Sequence, residues 1–240
     1  MYDIHNHVLP AVDDGSMGMR MSLRMLEQAI LQGITHVVCT PHANDRAAEQ
    51  ADELFQHAFN RLVAEVKARE LPVQLGLASE IMFGADLQKT LSHPFATFLG
   101  GGRYFLIEFS RETPFEIILN VVRASRRWKL RPVLAHYERY RYACKQKSQP
   151  ERIRAEGGIL TLDAGSLIGQ FGKPMVKVST KLIEWECVDI LASDAHDDDT
   201  HGFCLKQGRE AVALLHSAEA ASRMTIDNPR RIWDNLPWPG

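Results

Sequence analysis

No apolar run in the 240 residues approaches the 18 or more that a membrane span needs. The N-terminus, Met1-Tyr2-Asp3-Ile4-His5, also lacks the charged and apolar regions of a signal peptide, so the expectation is a cytoplasmic protein without membrane insertion. Charge of one sign is missing too: 28 Lys+Arg stand against 30 Asp+Glu, a formal -2. A dedicated nucleic-acid binder would carry a basic excess to neutralise phosphates, so nucleic acid is not the expected partner, although a small phosphorylated group is not excluded. Cysteine is scarce. Cys39, Cys144, Cys187 and Cys204 are scattered with no CxxC pair, which argues against a disulfide framework or a zinc ribbon and leaves buried or half-buried thiols. There is no low-complexity linker, no nameable repeat and no midpoint shift in composition, so one domain over residues 1–240 is the economical reading.

What is present is an ordinary globular composition, with 45% hydrophobic residues. A chain of this length buries roughly 70 to 75% of the surface its unfolded form exposes. The core therefore needs no metal staple, and any metal would serve function. Short apolar, β-branched-rich runs alternate with longer helical patterns, the signature of repeated βα units around a parallel sheet. The strand runs fall near Tyr2 to His5, Thr35 to Thr40, Val73 to Ser79, Tyr104 to Phe109, Pro132 to His136, Ile159 to Asp163 and Val188 to Ser193. Thr113 to Glu116 and Ser148 to Glu151 have capping-box spacing, Asn228-Pro229 opens a last short helix, and Gly33 fits the close of the first one. Gly100-Gly101-Gly102 precedes a strand, not a helix, and reads as a turn. The basic stretch Arg123, Arg126, Arg127, Lys129 and Arg131 sits at a helix end and reads as a solvated face.

Five of the ten histidines, His5, His7, His42, His136 and His196, lie at or just after the C-terminal ends of these runs. In a parallel βα barrel those ends open on one face, where active sites are built. His5 and His7 are two apart on an extended segment and point the same way. Glu80, Glu108 and Asp194 follow the same rule, and Asp13 and Asp14 sit in the loop after the first run. A lone histidine would be structural. So many imidazoles and carboxylates on one face would leave buried charges without partners unless divalent cations supply them. The mixed donors fit manganese, iron or zinc better than calcium or magnesium, and the pattern predicts a multinuclear site. His201, just beyond Asp194-Ala195-His196, is placed to reach the same cavity, whereas His36, His57, His93 and His216 read as structural and Asp197-Asp198-Asp199 as a solvated loop.

The pattern Asp3-Ile4-His5-Asn6-His7, Asp13-Asp14-Gly15, Thr40-Pro41-His42, Ser79-Glu80-Ile81, Ile107-Glu108-Phe109, His136-Tyr137-Glu138-Arg139-Tyr140, Ser193-Asp194-Ala195-His196 and Ile226-Asp227-Asn228-Pro229-Arg230 resembles the CpsB/CapC-type protein-tyrosine phosphatases of the polymerase and histidinol phosphatase (PHP) superfamily. The resemblance runs in order along nearly the whole chain. It implies a distorted (β/α)7 TIM-like barrel of the PHP fold and three divalent metal ions, Mn2+ foremost, with Fe or Zn as alternatives. By that similarity His5, His7, Glu80 and Asp194 hold one ion. Glu80 bridges to a second, held also by Glu108 and His136, and Asp14, His42 and His196 hold the third. The implied reaction is hydrolysis of phosphotyrosine by a metal-bridging hydroxide, on a protein such as the tail of a bacterial tyrosine kinase that controls capsule or exopolysaccharide export. Arg139 matches the family's phosphate-binding arginine; its competing reading is an ion-pair partner of Glu138. The family's second arginine is replaced here by His201, which implies a phosphate donor or a general acid for the leaving phenolate, or else an altered substrate preference or weaker catalysis.

Three alternatives define the range. A thiolate mechanism needs a cysteine followed after five residues by arginine, and Cys204 to Arg209 is one residue short. A PHP phosphatase for a small metabolite such as histidinol phosphate would use the same core chemistry. A weakly catalytic metal-binding regulatory protein would keep the ligands and lose the clamp. In either enzyme three divalent ions would turn the formal -2 into roughly +4, concentrated at one pocket.

Overall fold

The apolar runs are strands and the amphipathic segments between them are helices. The computed structural model describes residues 1–43, 48–84 and 86–239. The order is β1 (Tyr2–Asp3), α1 (Met19–Leu31), β2 (His36–Cys39), β3 (His42–Ala43), α2 (Ala48–Ala68), β4 (Gln74–Leu77), β5 (Glu80–Met82), α3 (Leu87–Thr90), β6 (Tyr104–Glu108), α4 (Phe115–Ser125), β7 (Arg131–Leu134), α5 (Ser148–Ala155), β8 (Ile159–Asp163), α6 (Ala164–Ile168), α7 (Lys173–Glu184), β9 (Ile190–Ala192), α8 (Leu205–Leu215), α9 (Ala218–Ser222) and α10 (Asn228–Trp233). It is an α/β architecture in which every paired strand is parallel.

Two sheets are formed, β1-β2-β4 and β3-β5-β6-β7-β8-β9. All seven expected runs contain strand, but after the second and third, expected to end at Thr40 and Ser79, the ladder is cut and a further short strand follows each, β3 and β5. Pro41 has no N–H to continue a ladder, and Thr40 turns its N–H to Asn6 O instead. Pairing resumes beyond the cut, where His42 aligns with Glu80. At the other margin Asn6 bridges Ala195 in parallel, with Asp194 N–H donating to His5 O and His7 N–H to Ala195 O.

Side chains alternate between two apolar layers, because helices cover one strand face and the other strands cover the second. Ile4, Val38, Ala78, Leu106, Val133, Ile159 and Ile190 form one cluster. Val37, Leu77, Phe105, Ile107, Leu134, Leu160 and Leu191 join the helices in the larger one. At the start of the strands the last segment of the chain packs on: Trp233 meets the rings of Tyr2 and His36, and Asn235 accepts from Arg103 N–H.

Local signals fared unevenly. Gly33 closes α1 at φ +80, Pro229 lies in the first turn of α10, and the Gly100–Gly101 turn has left-handed backbone. Neither capping box forms. The Pro114 carbonyl opens α4 without a side-chain cap, and Ser148 already lies inside α5, where the Gln149 side chain accepts from Lys145 and Gln146 N–H instead. The basic stretch is tied down, with Arg123 and Arg126 paired to Glu156 and Arg131 donating to Gly157 O.

Candidate active site

The polar cluster sits where each strand ends. His5 follows β1, His42 and Glu80 begin the segments beyond the two cuts, Glu108 ends β6, His136 lies two residues past β7, and Asp194 and His196 follow β9. His136 and Asp194 leave their strands with left-handed backbone, φ +30 and +50. Such conformations are costly for residues with a Cβ and concentrate at functional sites. They are held by Thr161, whose Oγ1 accepts from His136 N–H at 3.0 Å, and by the His5 carbonyl, which accepts from Asp194 N–H at 2.9 Å.

Glu80 is the centre. It is fully buried, and four imidazole nitrogens face its two oxygens. Oε1 lies 3.1 Å from His5 Nε2 and 3.2 Å from His136 Nε2; Oε2 lies 3.3 Å from His7 Nε2 and 3.1 Å from His42 Nδ1. None of these contacts has hydrogen-bond geometry, so both Glu80 oxygens and the His5, His7 and His42 nitrogens are orphaned. Asp194 Oδ1 stands 3.1 Å from His5 and 3.5 Å from His7, Glu108 Oε1 3.4 Å from His136, and Asp14 Oδ1 3.5 Å from His42 and 3.8 Å from His196. All nine expected ligand residues therefore meet in one place. Their atoms also group across the three expected sets, as His7, Asp14, His42 and His196, and as His5, Glu80, His136 and Asp194.

The tautomers are set from behind. His7 Nδ1 is 2.7 Å from Asp13 Oδ2, and His196 Nδ1 is 2.7 Å from Asp194 O, so each ring donates away from the cluster and turns the lone pair of Nε2 toward it. That arrangement is how metal-ligating histidines are held. Asp13 was singled out in the sequence only as a loop residue. Its turn exists because Gly15 presses on His7, where a Cβ would come within 2.2 Å of the His7 carbonyl oxygen. Asp13-Asp14-Gly15 is the readable trace of that turn.

Electrostatically the donors suit cations. Burial works against the Glu80 charge, but His5 and its neighbours outweigh it and hold the carboxyl well below its usual range. Burial likewise opposes charge on His5, and Glu80 and Asp194 overcome it and raise its pKa. Burial, then the charge of Glu80, pushes Glu108 up to about 7. Without an ion, protons on imidazole would have to offset four carboxylates; divalent cations would do this while giving the orphaned Glu80, His5, His7 and His42 atoms partners. The residues fit such ions.

Arg139 lies beside the cluster, its Nη2 2.5 Å from Asp163 Oδ2 and 2.8 Å from Asp194 Oδ2, with Phe171 4.9 Å from the guanidinium. Glu138 is not a surface partner: it is buried, accepts from Ser166 Oγ at 2.7 Å, and stands 3.9 Å from Arg139. Asp163 carried no sequence signal beyond ending a strand. His201 reaches the cavity, stacked on His196 at 4.7 Å with Nε2 3.9 Å from Asp194. Burial lowers its pKa to about 4, so the ring is neutral near pH 7. The neutral ring has a single N–H to donate. Asp197 accepts from His201 N–H and Asp199 N–H, and Asp198 pairs with Arg24, so the acidic run shapes the loop. The remaining histidines are structural where their contacts are defined: His93 meets Asp52, His216 meets Glu186, and His36 stacks on Tyr2. Cys39, Cys187 and Cys204 are buried and Cys144 half-buried; burial raises each thiol's pKa, which leaves no reactive thiolate.

Known proteins resemble the chain in sequence and fold. The chain is 30% identical to the tyrosine-protein phosphatase YwqE of Bacillus subtilis, across 90% of this chain and 84% of that one. It is 28% identical to the tyrosine-protein phosphatase CpsB of Streptococcus pneumoniae, across 97% and 98%. A solved structure from work on YwqE and CpsB, described as metal-dependent tyrosine phosphatases, superposes with a TM-score of 0.89 at 26% identity, covering 99% of this chain and 96% of that one. An organophosphorus hydrolase variant, 14% identical with a TM-score of 0.59, covers 96% and 92% and shares the fold alone. The family described as capsular polysaccharide synthesis, CpsB/CapC, matches residues 1–234, and the chain belongs to it.

Proposed function

We propose that this chain is a metal-dependent protein-tyrosine phosphatase, a single domain over residues 1–240 whose strands curve into a distorted seven-stranded barrel. The hydrogen bonds between the Asn6 and Ala195 segments support that curvature. The observation that carries the activity is Glu80, a buried carboxylate facing four imidazole nitrogens with no hydrogen bond to any of them. Three divalent cations would be held by His5, His7, Glu80 and Asp194, by Glu80, Glu108 and His136, and by Asp14, His42 and His196. Mn2+ suits the mixture of imidazole and carboxylate, with Fe and Zn as competitors. When bound, the cations supply an activated water near neutral pH and offset the charge of the phosphoryl group.

The chain's own residues do the rest. Arg139 is anchored through Nη2, which leaves donors of its planar fork for phosphoryl oxygens, and Asp163 and Asp194 hold it in place before substrate arrives. His201 donates one N–H to the same group. Phe171, 39% exposed and edge-on to His201 at 5.1 Å, gives an aryl leaving group an apolar surface. The expected substrate is a phosphotyrosine-bearing protein in the cytoplasm, the tail of a bacterial tyrosine kinase governing capsule or exopolysaccharide production. Among the described residues no helix is long and apolar enough to cross a membrane. Rates on a phosphotyrosine peptide and on histidinol phosphate, with elemental analysis of the same preparation, test the reading. A preference for the peptide and about three equivalents of Mn are expected; a large preference for the metabolite would overturn it.

A further inference from the structure

Next to the polar cluster lies a groove of about 500 Å³ whose walls are mostly cationic: Arg111, Arg141, Lys145, Lys177 and Lys181, with Arg139 shared between groove and cluster. Three separate segments build it. Arg111 follows β6, Arg141 and Lys145 follow β7, and Lys177 and Lys181 stand one turn apart on one side of α7. Arg141 N–H donates to Arg111 O at 3.0 Å and pins two of these segments together.

Two carboxylates also line the groove, and neither neutralises it. Glu138 is buried, hydrogen-bonded to Ser166 and 3.9 Å from Arg139. Glu112 pairs with Arg141 at 3.2 Å, both of them exposed. Among the described residues, Arg111, Lys145, Lys177 and Lys181 have no carboxylate within ion-pair distance; Lys145 and Lys181 instead lie over the rings of Tyr142 and Trp185 at 4.6 and 4.5 Å. Elsewhere some surface cations take acidic partners, as Arg123 and Arg126 do with Glu156 and Arg152 with Glu116, while others among the described residues, such as Arg20, Arg61 and Lys206, stand singly and are not gathered into one groove. On a chain with a formal charge of -2, what sets the groove apart is that four cations without carboxylate partners gather in it.

We propose that this groove binds the acidic segment adjacent to the phosphotyrosine of a protein substrate, an inference that rests on the phosphatase reading above. A single phosphate would require donors converging on one point. Cations spread over three segments, with Met175 and Val178 between them, instead match several carboxylates along an extended chain whose aliphatic stems lie on the apolar floor. Arg139 joins the two sites, so a peptide seated in the groove presents its phosphate at the cluster.

The test uses two phosphotyrosine peptides of equal length, one flanked by Glu and one by Ser and Gly, with p-nitrophenyl phosphate as a substrate that cannot reach the groove. The wild type is expected to prefer the Glu-flanked peptide in kcat/KM by roughly tenfold at low ionic strength, and less as salt rises. Arg111→Gln with Lys177→Gln, both exposed positions without ion pairs, should reduce that preference to about threefold or less and leave p-nitrophenyl phosphate turnover unchanged. Equal wild-type rates on the two peptides, or a preference undiminished in the double variant, would overturn the groove. If neither peptide is hydrolysed while p-nitrophenyl phosphate is, the phosphotyrosine reading fails. Anisotropy of a fluorescent Glu-rich peptide lacking phosphotyrosine then still decides the groove. Tighter binding to wild type than to the double variant supports it, and equal binding or none refutes it.

Discussion

At the N-terminal ends of the strands, Tyr2, His36 and Tyr104 are covered by Trp233, Leu236 and Trp238, and Ile232 is 1% exposed. At the C-terminal ends, Glu80, Asp194, His5, His7 and His136 are just as buried and have almost nothing apolar to gain. Both ends exclude water, but for opposite purposes. The first removes hydrocarbon from solvent, about 1.5–3 kcal/mol for each fully buried large side chain. The second holds charges whose desolvation is unfavourable until a cation or substrate offsets it. Stability is therefore concentrated at one end and chemistry at the other. Left-handed backbone occurs away from the site as well, at Leu99, Lys129 and Asn235, but at His136 and Asp194 it places ligands.

The division can be broken from either end. The largest effect is expected from Glu80→Gln, which keeps the shape and removes the charge facing four imidazoles. Turnover should vanish, and added Mn2+ should raise the melting temperature of the variant less than that of the wild type, since only a folded state that binds the ion is stabilised by it and the set of Asp14, His42 and His196 does not use Glu80. Arg139→Ala should lower kcat by about 10²–10³, the range for losing one preorganised donor to transition-state charge, while metal content by elemental analysis stays unchanged. Full activity would remove its assigned role. At the other end, Ile232→Ala should lower unfolding free energy by about 2–5 kcal/mol in a denaturant titration and leave kcat of the folded protein as it was. A variant that lost activity in proportion would show that the two ends are not separate.

Much of this was written locally in the chain. The apolar runs announce strands because both faces are covered, and the ligands stand at the run ends because the chain must turn there. Both features can be read within a few residues. What escaped depends on contacts between distant segments. Asp163 meets Arg139 across 24 positions, and nothing in either neighbourhood marks the pair. The cuts after Cys39 and Leu77 arise where Pro41 and the Asn6–Thr40 hydrogen bond redirect the ladder. The capping boxes at Thr113 and Ser148 had the right spacing and still lost, to the Pro114 carbonyl and the Gln149 amide. His201 was placed in the cavity by its distance from Asp194 in the sequence; its charge state could not be, because burial among His196, Phe171 and Arg139 sets it.

The smallest expected effect is also the one that sharpens the boundary of the chemical end. His201 Nε2 has no hydrogen-bond partner, faces Asp194 Oδ2 at 3.9 Å, and lies edge-on to Phe171. An arginine there would find the carboxylate and the ring that already hold Arg139, so His201→Arg should preserve or raise phosphotyrosine turnover if the imidazole only supplies one donor to phosphate. Asp194, His196 and His201 can also be grouped around one point. If His201 belongs among the ligands, the substitution must lower bound metal together with activity. Turnover that falls while metal stays constant would instead assign the imidazole a step of its own in the reaction, so metal content and rate measured on the same preparation place His201 with the ligands, with the clamp, or with the chemistry.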